Sequence, residues 1–314
     1  MDVEPIEAAA QGEEVPLAGG DVTEGVVRVG DTVRRPRGPW SSSVASYLHH
    51  LNRVGFPESP RYLGIDERGR DILQFIPGDV PRQPVVESWA AATSVLVGIA
   101  DLLRRLHEAS ASFVPPEHAR WFGDDVHVDM PADLRSEPPS DIISHFDVTP
   151  QNVVFRDGNP IGLIDFDLTR PGSRLGDVIN TAMWWVPMFP EPDRDPALAM
   201  CNAPTRLAMF VDAYGLTDSL RATFCDVAIA GATRSWHRMR ANAKQRGGGW
   251  ARMWAEGVGD RILRRRVWMI EQRATIEDAL RAGLEVCIRS VVRLGRQETF
   301  RNTHMDCVLS TRIG

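Results

Sequence analysis

The sequence predicts an α+β fold in which a small N-terminal sheet with one helix precedes a larger, mostly helical C-terminal part. Two observations support this prediction: short β-branched runs around turn dipeptides end near residue 78, and most of the chain beyond about residue 176 has helical spacing. The chain has 314 residues, of which 43% are hydrophobic and 25% charged, as in globular proteins. We expect tails at 1–14 and 301–314, an N-terminal lobe at 15–78 and a C-terminal lobe at 79–300.

The N-terminal part reads as two hairpins separated by a helix. Valines flank the Gly30-Asp31 turn dipeptide, and the apolar spacing of 41–55 predicts a helix. A second turn at 67–69 separates two short strands before Pro77-Gly78 closes the lobe.

The C-terminal part begins with a long amphipathic helix, predicted from Val85 to His107. Strands at 153–155 and 161–164 flank a turn at 157–159. Further helices are predicted at 208–214, 222–240 and 259–293.

Charge and cysteine spacing exclude several classes of protein. The formal net charge is −6, which argues against a protein that coats nucleic acid, because phosphate contacts need surplus cations. The acidic N-terminus is unlike a secretory signal, and no apolar run is long enough to span a bilayer. Four cysteines lie far apart without a CxxC pair. We therefore expect a cytoplasmic chain that uses neither nucleic acid nor a membrane as partner, and its oligomeric state stays open.

Three oxygen-bearing side chains surround the predicted hairpin at 153–164. Asp147 precedes it, Asn152 stands at the start of its first strand, and Asp165 follows its second strand. Because a tight turn brings the two ends of a hairpin together, we expect these side chains to converge. Such oxygen ligands hold Mg²⁺ against nucleotide phosphates, while a separate carboxylate accepts the proton of an attacking hydroxyl. The alternative is that all three are ordinary turn and capping residues, since turns favour Asp and Asn.

The motifs HFDVTPQN and IDFD resemble the HxDxxxxN and DFG-type pair of the aminoglycoside phosphotransferase family. The segments LQFIPG, LLRRLHEAS and RPGSRLGDV resemble other parts of that family in the same order. The resemblance implies a bilobal, protein-kinase-like fold and an enzyme that moves the γ-phosphate of ATP or GTP to a hydroxyl of a small molecule. It also implies Mg²⁺, and an acceptor that is aminoglycoside-like, choline-like or related.

The resemblance further implies roles for individual residues. It implies that Asp147 is the catalytic base and that Asn152 and Asp165 are ligands of Mg²⁺. His145 and Asp177 would support the catalytic loop, and Asp167 would either contact a second metal or face solvent. The nucleotide base would contact the backbone of Gln74, Phe75 and Ile76.

The sequence departs from the family at the nucleotide phosphates. The family places a lysine on its third strand, but the only lysine of this chain is Lys244. Arg34 is our candidate for that role and Arg35 the alternative, because arginine is a permanently charged phosphate ligand. The helix glutamate that steadies the lysine is also missing around Val44. A pseudokinase-like module that binds nucleotide without transferring phosphate therefore stays open, as does a metal-dependent hydrolase, although no His-rich ligand motif supports the latter.

Overall fold

A computed structural model of the chain describes residues 13–17, 23, 25–82 and 86–283. The tail predicted at 301–314 and most of the one at 1–14 lie outside these residues. The strands are β1 Val15–Pro16, β2 Val27–Val29, β3 Thr32–Arg35, β4 Tyr62–Ile65, β5 Asp71–Gln74, β6 Ile142–Ser144, β7 Val153–Arg156, β8 Asn159–Leu163 and β9 Arg170–Gly172. The helices are α1 Ser41–Arg53, α2 Thr93–Ser110, α3 Arg174–Trp185, α4 Ala203–Tyr214, α5 Asp218–Arg246, α6 Gly248–Ala255 and α7 Val258–Glu271, followed by a helical segment at 273–283.

The predicted α+β fold is confirmed. The N-terminal lobe is an antiparallel sheet in the order β1-β2-β3-β5-β4, with α1 inserted between β3 and β4. The C-terminal lobe is mostly helical and holds two small sheets, β6 with β9 and β7 with β8. Among the described residues, no helix is long and apolar enough to cross a membrane.

The two lobes join through backbone pairing after β5. Asp79 exchanges two backbone hydrogen bonds with Phe155 of β7, at 2.7 and 2.8 Å. A Cβ atom on Gly78 would lie 2.4 Å from the Phe155 carbonyl oxygen, so only glycine permits this approach. Helix α1 also reaches the C-terminal lobe, where the Tyr47 hydroxyl donates to the Ile143 carbonyl at 3.2 Å. The β7–β8 hairpin is therefore tied directly to the connection between the lobes.

Helix α2 is the centre of the core. Its buried side chains recur at helical spacing and pack against α4, β6 and β8. The helix begins at Thr93 rather than at the predicted Val85, because residues 88–91 form a 3₁₀ turn and Ala92 is extended, with ψ 144°. The Arg206 guanidinium donates to the Ala91 carbonyl at 2.7 Å and holds this turn from outside. The start of the predicted helix is therefore wrong, although residues 83–85 themselves are not described.

The helix predicted at 259–293 is interrupted. Helix α7 ends at Glu271, Gln272 is a turn residue, and a second helical segment covers 273–283. Residues beyond 283 lie outside the described chain.

Substituting Leu103→Ala in α2 should lower the free energy of unfolding by about 2–5 kcal/mol, because Leu103 is fully buried and the change leaves a cavity. Val97→Ala is the matched control on the same helix, since Val97 is 42% exposed, and should change stability by no more than about 0.5 kcal/mol. Chemical denaturation measures both. Equal losses for the two variants would contradict the placement of α2.

Candidate active site

The loop from His145 to Asn152 is held by one buried carboxylate. Asp177, in the first turn of α3, accepts hydrogen bonds from the backbone N–H of His145 at 2.8 Å and of Phe146 at 2.9 Å. Its Oδ2 also lies 3.1 Å from His107 Nε2 of α2. Burial raises the pKa of Asp177. The hydrogen bonds from His107 and from the His145 N–H lower the pKa by more than burial raises it, so the pKa of Asp177 lies below its usual value. Asp177 therefore fixes the loop as an anion.

The backbone of this loop is unusual at Phe146, where φ is 58°. The Phe146 ring lies so close to Gly172 of β9 that a Cβ atom there would sit 2.5 Å from it. Trp185 of α3 adds a hydrogen bond from its indole Nε1 to the Val148 carbonyl at 2.8 Å. Sequence reasoning missed Gly172 and Trp185 as supports of the loop, since the first lies in a segment read as loop and the second in an apolar helix.

His145 is fully buried and packs against the ring of Phe166, with ring centroids 4.5 Å apart. Burial lowers the pKa of its imidazole, so the ring is neutral at ordinary pH. His145 therefore contributes packing beneath the loop rather than a titrating group at its surface.

Asp147 and Asn152 are brought into direct contact. The Asn152 side-chain Nδ2 donates to Asp147 Oδ2 at 2.7 Å and to the Asp147 carbonyl at 2.9 Å. This orientation uses the amide nitrogen and leaves the amide oxygen for a cation.

The hairpin then returns the chain to the same place. Val153 pairs with Leu163 in the β7–β8 ladder, and the Ile164 N–H donates to the Asn152 carbonyl at 2.9 Å. Asp165, the next residue, has a left-handed backbone with φ 62°. The hairpin thus gathers Asp147, Asn152 and Asp165 at one end, as the spacing predicts.

The sheet of the N-terminal lobe contributes one arginine to this end. Arg35 Nη2 lies 2.9 Å from Asp165 Oδ1 and also forms an ion pair with Asp167. Thr23 completes the group, since its hydroxyl donates to Asp167 Oδ2 at 3.4 Å. Asp167 therefore contacts both Arg35 and Thr23, and burial raises the pKa of its carboxyl group to about 6.

Of the two candidate arginines, Arg35 and not Arg34 contacts Asp165. Neighbouring residues in a strand point to opposite faces of the sheet. Arg34 therefore turns away from Asp165: its Nη1 donates to the Thr32 hydroxyl at 2.6 Å, and its Nε lies 3.7 Å from Asp66. Arg35, the alternative, lies next to Asp165 and Asp167.

Helix α1 supplies no carboxylate to Arg35. The small pocket around the guanidinium is lined on the α1 side by Ser41, Val44, Ala45 and Leu48. Asp165 and Asp167 take the place of the absent helix glutamate as counter-ions, and they connect the two lobes electrostatically.

The resemblance implies that the nucleotide base contacts the backbone of residues 74–76, where β5 ends. The Gln74 N–H donates to the Arg61 carbonyl and the Phe75 N–H to the Asp31 carbonyl, each at 2.9 Å. Both amides are therefore used within the chain. The Ile76 side chain packs towards Gly162 of β8, where an added Cβ would lie 3.1 Å from it.

The donor set fits a magnesium ion that is shared with a nucleotide. Mg²⁺ prefers oxygen ligands and usually keeps one or two protein carboxylates together with phosphate oxygens. Asp165 and the amide oxygen of Asn152 would supply such ligands. Within the described residues, no group of three or more His, Cys, Asp or Glu side chains is placed to hold a metal ion.

Comparisons with known proteins agree with this geometry. The model of the phosphotransferase enzyme family matches residues 121–222. The trifolitoxin immunity protein of Rhizobium leguminosarum bv. trifolii is 32% identical over 289 residues, which cover 85% of this chain and 99% of that protein.

Two solved structures show the same fold. One is a choline/ethanolamine kinase family protein from Mesorhizobium loti, with a TM-score of 0.55 and 18% identity, covering 87% of this chain and 94% of that one. The other is the amicoumacin kinase hAmiN, with a TM-score of 0.54 and 12% identity, covering 82% and 88%.

Asp177→Asn should lower the free energy of unfolding by about 3 kcal/mol, because an amide can accept at only one of the two atoms that now receive backbone N–H groups. The wild-type pKa is depressed in the folded state, so the carboxylate stabilises the fold above its unfolded pKa and loses this effect as pH falls. Denaturation at several pH values should show that the difference in the free energy of unfolding between wild type and Asp177→Asn becomes smaller below pH 3.8. Asp226→Asn, at an exposed ion pair with Arg273, is the control; a similar loss there would contradict the assignment.

Proposed function

The chain belongs to the phosphotransferase enzyme family, and on this premise we propose that it transfers the γ-phosphate of ATP or GTP to a hydroxyl of a small molecule. The observation that carries the proposal is the contact of Asp147 with Asn152 at the end of the hairpin where Asp165 returns. These side chains supply an acceptor for a proton and two oxygen ligands for a divalent cation.

Each of these groups has a defined part in the proposed reaction. The acceptor hydroxyl oxygen attacks the γ-phosphorus, the bond to the bridging oxygen breaks, and the nucleoside diphosphate leaves. Asp147 orients the hydroxyl and takes up its proton, and the hydrogen bond from Asn152 fixes the direction of its carboxylate. Asn152 and Asp165 would hold Mg²⁺, which offsets the negative charge of the phosphates.

Arg35 is the proposed ligand of the nucleotide phosphates. Its guanidinium lies between Asp165 and Asp167, where phosphates and a divalent cation would approach. Arginine binds phosphate through two parallel hydrogen bonds and keeps its charge at all relevant pH values. The base of the nucleotide would contact the segment from Gln74 to Ile76, and since two amides there are already used, Ile76 is the proposed donor.

The relatives support a nucleotide and a hydroxyl-bearing acceptor. The structure of hAmiN is of a complex with AMP-PNP, Ca²⁺ and Ami, and another neighbour carries the name of a choline/ethanolamine kinase family protein. We propose the same general class of small-molecule acceptor for this chain.

A second candidate function is a nucleotide-binding module that does not transfer phosphate. The ion pairs of Arg35 with both Asp165 and Asp167 favour it, because they occupy the carboxylates that a metal would need. The name of the relative, an immunity protein, is also compatible with protection by binding alone. Thermal stabilisation by Mg-ATP without ADP release on any tested acceptor would favour this module over the kinase.

Asp147→Asn should lower kcat at least about 100-fold, because the variant can no longer accept the hydroxyl proton. Binding of Mg-ATP should persist, since Asn152 and Asp165 are unchanged. An ADP-release assay over a panel of hydroxyl acceptors, with calorimetry for nucleotide binding, measures both effects. Asp157→Asn is the control, because Asp157 lies in the β7–β8 turn at the other end of the hairpin. Unchanged turnover in Asp147→Asn would exclude the proposed base.

Arg35→Gln should raise the KM for ATP by roughly 10- to 100-fold, as expected for the loss of a charge-assisted phosphate contact. Arg34→Gln is the matched control, because it removes the neighbouring charge from the opposite face of the sheet. Initial-rate kinetics at a saturating acceptor concentration separate the two variants. A larger effect of Arg34→Gln on the KM for ATP would reverse the assignment.

A further inference from the structure

Three arginines lie within electrostatic reach of one another beside the loop that carries Asp147, and the proposed transfer reaction does not use them. Arg170 belongs to β9, and Arg234 and Arg238 stand one turn apart on α5, so that both face the same side of that helix. We call Arg170, Arg234 and Arg238 the arginine cluster.

Arg170 is placed by the catalytic loop itself. The central carbon of its guanidinium lies 4.0 Å from the centroid of the Phe146 ring, and Phe146 directly precedes Asp147. Its Nη1 donates to the Leu168 carbonyl at 3.0 Å. Burial lowers the pKa of Arg170 to about 10, and the charge of Arg238 lowers it as well, while the carboxylates of Glu137, Asp177 and Asp147 act in the opposite direction. Arg170 is therefore within electrostatic reach of the proposed base.

Arg234 and Arg238 extend the cluster along α5. Arg234 is only 6% exposed, and its Nη1 donates a long hydrogen bond of 3.5 Å to the Ser136 carbonyl. Arg238 forms an ion pair with Glu137. Among the residues that the structure describes, neither Arg170 nor Arg234 forms an ion pair with a carboxylate.

The carboxylates near the arginine cluster are already engaged by other groups. Of Glu137, Asp177 and Asp147, which act on Arg170, Glu137 is paired with Arg238, and Asp177 accepts hydrogen bonds from two backbone N–H groups of the 145–152 loop. Removing a cation from water without a counter-ion is costly, so buried charges in proteins are normally paired. Within the described residues, a bound anion would supply the counter-charge that Arg170 and Arg234 lack.

We propose that the acceptor carries an anionic group, a carboxylate or a phosphate, which the arginine cluster binds while the hydroxyl of the acceptor lies at Asp147. This inference rests on the proposed function, since it names the acceptor class for that reaction. Arginine suits such a role, because its planar fork binds carboxylate and phosphate through paired hydrogen bonds. A polycationic acceptor would meet like charges at this place and is disfavoured.

The test compares acceptors of opposite charge under saturating Mg-ATP. D-glycerate, 3-hydroxybutyrate and glycerol 3-phosphate are the anionic acceptors; choline, ethanolamine and kanamycin are the cationic ones. We expect a higher kcat/KM for at least one anionic acceptor than for every cationic one. Arg234→Gln should raise the KM for that acceptor at least about tenfold and leave the KM for ATP unchanged. Arg281→Gln, at an exposed arginine of the 273–283 segment, should behave as wild type.

Two results would overturn the inference while leaving the transfer reaction intact. One is preferred turnover of choline, ethanolamine or kanamycin that Arg234→Gln does not change. The other is a rise in the KM for ATP alone, which would assign the cluster to the nucleotide phosphates. Thermal unfolding checks the fold of each variant, and Arg170→Gln replaces Arg234→Gln if the latter does not fold.

Failure of the proposed function gives a different pattern. If no acceptor is turned over, calorimetric titration of glycerol 3-phosphate and D-glycerate into the protein saturated with Mg-ADP decides the matter. Binding that is weakened at least about tenfold by Arg234→Gln or Arg170→Gln would keep the anion site without the reaction. Absence of binding, or binding that these variants do not weaken, would overturn the inference.

Discussion

The geometry of the site depends on the buried carboxylate of Asp177. Two backbone N–H groups of the catalytic loop and the imidazole of His107 converge on it, so one side chain joins the loop to α2 and α3. His107 in turn contacts the Tyr214 hydroxyl of α4 at 2.7 Å. Because these groups are fully buried or nearly so, each needs its partner. The loop can therefore keep Phe146 in a left-handed conformation and present Asp147 towards Asn152.

A second constraint arises where the two lobes meet. A kinase of this fold usually balances its strand cation with a helix carboxylate, but the corresponding part of α1 is apolar around Val44. Arg35 instead takes its counter-ions from Asp165 and Asp167, which belong to the other lobe. Asp165 would also hold the metal in the proposed reaction, so nucleotide phosphates would have to draw Arg35 away from it. Because α1 lacks the glutamate, Arg35 and the metal would compete for the carboxylate of Asp165.

The parts of the fold that follow from local rules were predictable from the sequence. A tight turn forces the ends of a hairpin together, so the spacing of Asp147, Asn152 and Asp165 sufficed to predict their convergence. The choice between Arg34 and Arg35 was not predictable. Both residues of β3 are charged, and the alternation of side chains along a strand does not say which face of the sheet lies towards Asp165. The pairing of β6 with β9 joins segments far apart in the chain, so the strand that contains Arg170 was not predictable from local patterns. The start of α2 also depends on a distant residue, Arg206, which no local pattern reveals.

In the proposed reaction, the end of the hairpin forms one shared site for a divalent cation and nucleotide phosphates. Electron paramagnetic resonance of Mn²⁺, titrated with a non-hydrolysable ATP analogue, tests this claim without knowledge of the acceptor. Wild-type protein should bind Mn²⁺ only together with the analogue, and both Asn152→Ala and Asp165→Ala should lose that binding. Undiminished, nucleotide-dependent Mn²⁺ binding in both variants would contradict the account.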